Sequence, residues 1–272
     1  MSYTLLDLFD YHPVNGVPEA AAGLFAIMAA IQIWQTIHYS APKWMYILVG
    51  TAIAECVGYI VRSVILYHTS LGIFIFMNLC LLLPPNALAL FNYKVIGEIV
   101  RRSNVPPRRF WLKHKFIVWF FFGSDVFSFL IQATGGSMQS SESTRNAGKY
   151  IALFGLAIQL IFFGCFVAIT IYVKRCASYV VSAGPKDKTD TGAKIKLMRV
   201  ILATTALLYV RSIYRVAEFA DGYGGKIYGA EWAFYVFDCL AMLACFVIYI
   251  LWFVGHHFPS EAVGEAIAMY SA

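Results

Sequence analysis

Residues 149–173, KYIALFGLAIQLIFFGCFVAITIYV, decide the class of fold: after Lys149 the stretch holds no charged side chain. A hydrocarbon core about 30 Å thick is crossed by about 20 helical residues, so this run predicts a membrane-spanning helix. Six more stretches have the same character, at about 20–39, 44–67, 71–97, 115–133, 197–219 and 231–254. Turn residues or charge mark breaks between them: Ala41-Pro42-Lys43, Ser103-Asn104-Val105-Pro106-Pro107, Gly135-Gly136-Ser137, Ala183-Gly184-Pro185 and Asp221-Gly222. The reading is an all-α polytopic membrane protein with seven transmembrane helices. Composition agrees, since the 272 residues are 60% hydrophobic and 13% charged, against about 45–50% and about 25% in soluble chains. One water-soluble domain cannot hide that much apolar surface. A soluble enzyme, a disordered chain and a disulfide-stapled secreted domain are excluded.

Lysine and arginine in the loops predict the orientation, because they are retained on the cytoplasmic side. Loops one, three and five carry fourteen of them, while the N-tail and the even loops carry three: Arg145, Lys149 and Lys226. The N-terminus is therefore expected outside and the C-terminus in the cytoplasm. The organisation is an extracytoplasmic N-tail (1–19), the seven-helix domain (20–254) and a cytoplasmic C-tail (255–272). The first 18 residues hold no Lys, no Arg and no apolar run, so no secretory signal peptide is expected. The net charge of +6 collects in these loops and is not a nucleic-acid signal. The six cysteines lie in or at the ends of apolar stretches and form no disulfide framework or CxxC pair.

Charges inside the spans are the informative residues. Span two has Glu55 and Arg62, span four Asp125, span six Arg211, Arg215 and Glu218, and span seven Asp238, with Glu231 near its outer end. A charge at the bilayer centre costs about 2.5–3.5 kcal/mol, and seven left unpaired would cost on the order of 20 kcal/mol. Such groups pair or face water inside the bundle. Glu55, Tyr59 and Arg62 stand at i, i+4, i+7, as do Arg211, Arg215 and Glu218, and again Glu231, Tyr235 and Asp238. Asp125, Ser128 and Gln132 stand at i, i+3, i+7. Each set forms one stripe of its helix, so four polar stripes are expected to face inward. They either lock helix packing or line a pathway. Span three carries Asn78, Pro84, Pro85, Asn86 and Asn92. A proline frees the carbonyl about four residues earlier, so a helix break is expected at Pro84 and Pro85, near Leu83. Gln159 reads as a helix–helix hydrogen-bonding group.

Catalytic signals are missing. There is no GxxxxGK[ST], hence no ATP-driven pump on this chain, and no HExxH. The six histidines lie at span ends or in tails. No metal, cofactor or enzyme activity is expected. Span seven has no lysine for a retinal Schiff base, and Asp-Arg-Tyr and Asn-Pro-x-x-Tyr signatures of rhodopsin-type receptors are missing.

Several segments resemble the fungal lipid-translocating exporter family, the proteins named for resistance to aminocholesterol. Arg211-Ser212-Ile213-Tyr214-Arg215-Val216-Ala217-Glu218-Phe219, continuing through Gly222, Gly225 and Glu231 to Tyr235 and Asp238, resembles its RxxxRxxEF…G…E…YxxD signature. Glu55 to Arg62 resembles its ExxGYxxR segment, and Asp125, Ser128, Gln132, Gly135 and Gly136 resemble its DxxSxxxQxxG segment. Gly155 to Gln159 resembles its span-five element. Span three departs from the pattern, with Pro84-Pro85 in place of Ala-Pro and no Gly-Arg pair at its end. The resemblance implies a seven-span protein, at the plasma membrane or an internal membrane, linked to export or transbilayer movement of sphingoid bases, phospholipids or sterol-like toxicants.

The two lines of reasoning select the same residues. They predict one polar cavity from Glu55, Tyr59, Arg62, Asp125, Gln132, Arg211, Arg215, Glu218, Glu231, Tyr235 and Asp238. An amine head would pair with Glu55, Asp125 or Asp238, and a phosphate with Arg62, Arg211 or Arg215. Membrane lipids and amphiphilic small molecules are the expected partners. The second reading is a lipid-stress receptor or a regulator of other flippases, with a cytoplasmic partner at the loop 174–197.

Overall fold

The structure is a computed structural model that describes residues 9, 13–103, 112–139, 143–176, 179, 191–222 and 225–258. The Pro106-Pro107 and Gly184-Pro185 breaks, most of the two tails and the centre of the loop 174–197 lie outside the described residues. Helix α1 is Val17–His38. It starts after Gly16, whose φ of 89° is left-handed, with Pro18 in its first turn. A glycine enters that region without steric cost, and proline's fixed φ suits a first turn. A 3-10 turn, Lys43–Met45, leads into α2, Tyr46–Val64. Then come α3, Leu71–Arg102, α4, His114–Met138, α5, Arg145–Arg175, and α6, Thr191–Asp221. Helix α7 has three parts: α-helical Glu231–Phe234, a π-helical turn Tyr235–Cys239, and α-helical Leu240–Leu251. A 3-10 turn, Val254–His257, follows.

Seven of these helical segments are long and apolar enough to cross a membrane, and no β-strand occurs among the described residues. The predicted spans are all present. Several helices run past them, α3 to Arg102 and α5 to Arg175, because a charged amphipathic end stays helical once it leaves the lipid.

Neighbouring helices in the chain pack side by side, α7 returns to α1, and α3 meets α6 across the interior. Polarity is inverted relative to a soluble protein. Trp34, Trp119, Phe154, Ile161 and Leu251 are exposed, while Glu55, Arg62, Asn92, Asp125, Arg211 and Asp238 are buried. Helices α4 and α5 approach closely. A Cβ on Gly135 would lie 2.5 Å from the backbone nitrogen of Ala152, and one on Gly148 would lie 2.6 Å from the Gly135 carbonyl oxygen. Small residues permit that backbone contact in a bundle that lipid does not squeeze together.

Helix α3 departs from expectation. It runs unbroken from Leu71 to Arg102 with Pro84 and Pro85 inside it. The predicted break does not occur, and the acceptor that Pro85 leaves open is met by a side chain of another helix, as shown below.

The two ends of the bundle differ. At the end holding the C-terminal turn, Phe258 is fully buried, packs on Trp44 at 5.8 Å and lies under the Arg102 guanidinium at 5.1 Å. Trp44, Phe91 and Tyr249 continue this aromatic plug inward. Glu98 binds Arg101 and Arg102 beside it, both at 2.7 Å.

Candidate functional site

The opposite end, where α1 begins, contains a cavity of about 190 Å³. Its walls come from α3 (Leu71, Phe74, Asn78, Leu82), α4 (Gln132, Gln139), the start of α5 (Arg145), the end of α6 (Arg215, Glu218) and Arg62 of α2. The first half of α3, from Leu71 to Leu82, supplies more of the wall than any other helix. Asn78, Gly136 and Ser137 are exposed lining residues, so the cavity reaches the molecular surface between α3 and α4.

Beneath it lies an ion-pair network. Asp238 forms ion pairs with both arginines of α6. Arg211 Nε is 2.5 Å from its Oδ1 and Arg215 Nη2 is 3.2 Å from its Oδ2. Arg215 Nη1 also donates to Glu218 Oε2 at 3.0 Å. Arg211 Nη2 donates to the Leu81 carbonyl at 3.1 Å. That carbonyl is the acceptor Pro85 leaves without its helical N–H, so the expected exposed carbonyl is occupied by the protein itself. Glu55 is 1% exposed and within electrostatic reach of Asp238, Arg211 and Arg215. Its Oε1 has no hydrogen-bond partner among the described residues. Tyr59 stands one turn on, stacked on Phe25 at 5.5 Å.

Arg62 forms a second group. Its Nε donates to the Tyr235 hydroxyl at 3.2 Å and its Nη2 pairs with Glu231 Oε1 at 3.5 Å. Its guanidinium lies over the Phe234 ring at 4.5 Å, a favourable cation–π placement. Glu231 Oε2 accepts the Val14 backbone N–H at 2.9 Å, tying the N-terminal segment to α7. Ser63 donates to Glu19 nearby.

The structure therefore divides the predicted cavity. Arg62, Gln132, Arg215 and Glu218 are on its wall. Glu55, Tyr59, Arg211 and Asp238 sit outside that wall in the network below, and Glu231 and Tyr235 hold Arg62. Asp125 is elsewhere: its Oδ2 accepts the Tyr93 hydroxyl at 2.8 Å. Tyr93 is wedged between Phe121 and Phe166. The i, i+7 stripe of α4 splits between two partners, Asp125 with Tyr93 and Gln132 with Gln159, whose Oε1 accepts Gln132 Nε2 at 2.8 Å. Gln159 in turn donates to Asn86 at 2.6 Å. The stripe predicted for α7 passes through the π turn.

Two features were not legible beforehand. Arg145 reads in the sequence as a loop charge, yet it lines the cavity. Asn92 donates to Thr204 and Thr205, both at 3.2 Å, and accepts Tyr249 OH at 2.8 Å. Asn92 stood out as a polar residue in a span, but Thr204, Thr205 and Tyr249 carry no charge to flag them. No group of three or more His, Cys, Asp or Glu able to hold a metal occurs among the described residues.

Residues 48–261 match the family described as RTA1 like protein. The chain is 31% identical to Protein RTM1 of Saccharomyces cerevisiae, over 73% of this chain and 63% of that protein. It is 32% identical to Protoporphyrin uptake protein 1 of Saccharomyces cerevisiae, over 76% of this chain and 66% of that protein. It is 25% identical to the Lipid-translocating exporter-like protein RTA1 of Leptosphaeria maculans, over 93% of this chain and 52% of that protein. The chain thus spans between about half and two thirds of the length of these three relatives. No solved structure matches it.

Proposed function

The chain belongs to the RTA1-like protein family, and from that membership we propose that it moves lipids or other amphiphiles across the bilayer through the charged cavity. The candidates are sphingoid bases, phospholipids and sterol-like compounds. Two of the relatives are named for handling amphiphiles, one for lipid translocation and one for protoporphyrin uptake.

The observation that carries the reading is the cavity itself. It brings Arg62, Arg215 and Glu218 to a surface that is apolar along α3. A volume of about 190 Å³ is below the roughly 300–1,000 Å³ of sites that enclose a drug-sized ligand. It suits a polar head, with the tail left in lipid. On the loop-charge reading, the cavity end faces outside and the aromatic plug at Phe258 faces the cytoplasm. One open and one closed end is what an outward-facing state of a carrier requires. The chain has no nucleotide-binding loop, so movement runs downhill or on a gradient. The plasma membrane is the proposed location.

The test is lipid movement in liposomes holding only the purified protein, with a fluorescent phospholipid and a fluorescent sphingoid base, read by quenching of the outer leaflet. Wild type moves at least one of them, and Arg215→Ala and Glu218→Gln slow it. Wild-type rates in both variants, from folded protein, would remove the cavity from the path. No movement by folded wild type would give the regulator reading precedence.

A further inference from the structure

We propose that the cavity selects uncharged amphiphiles whose heads carry hydroxyl groups, with Asn78, Gln132 and Gln139 as the groups that bind them. This rests on the cavity being the lipid site. Among the classes named above it favours sterol-like compounds over sphingoid bases and phospholipids.

The charges of the site already answer one another. Arg62 is paired with Glu231, and Arg215 with Asp238 and Glu218. Arg211 holds Asp238 from behind the wall, and Arg145 has an interaction of its own. On the wall and directly behind it, the formal charges of Arg62, Arg145, Arg211 and Arg215 balance those of Glu55, Glu218, Glu231 and Asp238. A charged head would enter without a counter-charge and would have to break an ion pair to find one, which is costly where the pair is buried. An uncharged head requires no such exchange.

The α3 and α4 side of the wall offers uncommitted hydrogen-bonding groups. Asn78 donates Nδ2 to the Phe74 carbonyl at 3.1 Å, which leaves Oδ1 as an acceptor. Gln132 donates Nε2 to Gln159 Oε1 at 2.8 Å, and Gln159 donates in turn to Asn86 at 2.6 Å. That chain of amides fixes Gln132, which is 4% exposed, and leaves its Oε1 to a ligand. Gln139 Nε2 is buried with no hydrogen-bond partner among the described residues. All three residues line the cavity. A hydroxyl both donates and accepts, so it serves two acceptors and a donor together, whereas an ammonium only donates. A phosphate presents acceptor oxygens and leaves Asn78 and Gln132 unmet. The tail has a path as well. Leu71, Leu79 and Leu82 of α3 line the same cavity. Gly136, at the opening between α3 and α4, has nothing within 4 Å of an added Cβ.

The experiment places the full chain in phosphatidylcholine nanodiscs and labels it with a monoacylglycerol that carries a photoreactive diazirine in its acyl chain. The competitors are monolauroylglycerol, methyl dodecanoate, dodecylamine and dodecyl phosphate, each referred to its concentration in the bilayer, and the labelled peptides are mapped. Monolauroylglycerol should suppress labelling of the cavity segments of α3 and α4 at a concentration at least about tenfold lower than the others. Asn78→Leu and Gln139→Leu should each weaken it about threefold to tenfold, the loss of one hydrogen bond, and leave dodecylamine unchanged. Dodecylamine or dodecyl phosphate competing as well as monolauroylglycerol would overturn the selection of uncharged heads. Equal competition by methyl dodecanoate, which has no hydroxyl, would overturn the hydrogen-bonding assignment, as would unchanged competition in both folded variants. Cavity labelling that no competitor suppresses would remove the site. Asn78 is exposed, so its variant leaves the core untouched, and if neither variant folds the wild-type order of competitors still decides. Because binding is read without a transport step, failure of lipid movement in liposomes counts against the transport reading alone.

Discussion

Arg211 Nη2 lies 3.1 Å from the carbonyl oxygen of Leu81 and donates to it. Residue 85 is proline, which has no N–H to offer that acceptor. One side chain of α6 thus repairs α3 and, through Asp238, joins α3, α6 and α7. Pro85→Ala restores the helical donor and makes the arginine's contribution redundant there. The cost of Arg211→Met should be smaller by about 1 kcal/mol in a Pro85→Ala background than in wild type. A four-variant unfolding cycle in detergent measures this coupling. Additive costs would show that the contact contributes nothing.

Asp238 is the acid shared by Arg211 and Arg215. Asp238→Asn leaves two neighbouring guanidinium groups in the bundle interior without it. Removing one partner from a buried ion pair costs about 3–5 kcal/mol. Glu218→Gln should cost less, on the order of 1–3 kcal/mol, because Arg215 keeps Asp238. Fluorescence-monitored thermal unfolding should rank Asp238→Asn well below Glu218→Gln in Tm. The reverse order would mean that Glu218 is the anchor.

Asp125 and Tyr93 form a pair separate from the cavity. Tyr93→Phe removes a hydroxyl donor from a carboxylate that is 2% exposed, a loss of about 1–3 kcal/mol. The expected outcome is a lower Tm with unchanged amphiphile affinity. A change in affinity equal to that of a cavity-wall variant would place Asp125 in the binding path.

The backbone contact between α4 and α5 makes Gly135 intolerant of a side chain. Gly135→Ala should cost about 1–3 kcal/mol by overpacking. Gly123→Ala, on the same helix with nothing within 4 Å of an added Cβ, should be neutral or slightly stabilising. Equal melting temperatures for the two variants would show that the helices separate easily at this point.

Orientation can be read chemically. Ser143, between α4 and α5, and Lys113, before α4, are both exposed and lie at opposite ends of the bundle. In a cysteine-free background, Ser143→Cys should react with an impermeant maleimide added to intact cells, and Lys113→Cys should react only after permeabilisation. The opposite pattern would invert the topology.

The sequence alone determined the number of spans and the residues that must turn inward. Both follow from costs acting on each residue separately. A carboxylate or guanidinium in lipid is penalised whatever its partner, and helical spacing then places Glu55 and Arg62, or Arg211 and Glu218, on one stripe. The identity of each partner depended on how the helices rotate and slide against one another. Asp125 and Asp238 look alike as acids within spans, yet one meets a tyrosine and the other two arginines. The close approach at Gly135 and Gly148 and the π turn at Tyr235–Cys239 help fix those rotations. They are packing outcomes, invisible to hydropathy. The unbroken course of α3 and the place of Arg145 on the cavity wall belong to the same category. A proline's missing donor and a loop's charge are local facts, but what answers them arrives from another helix, and only the tertiary structure brings it there.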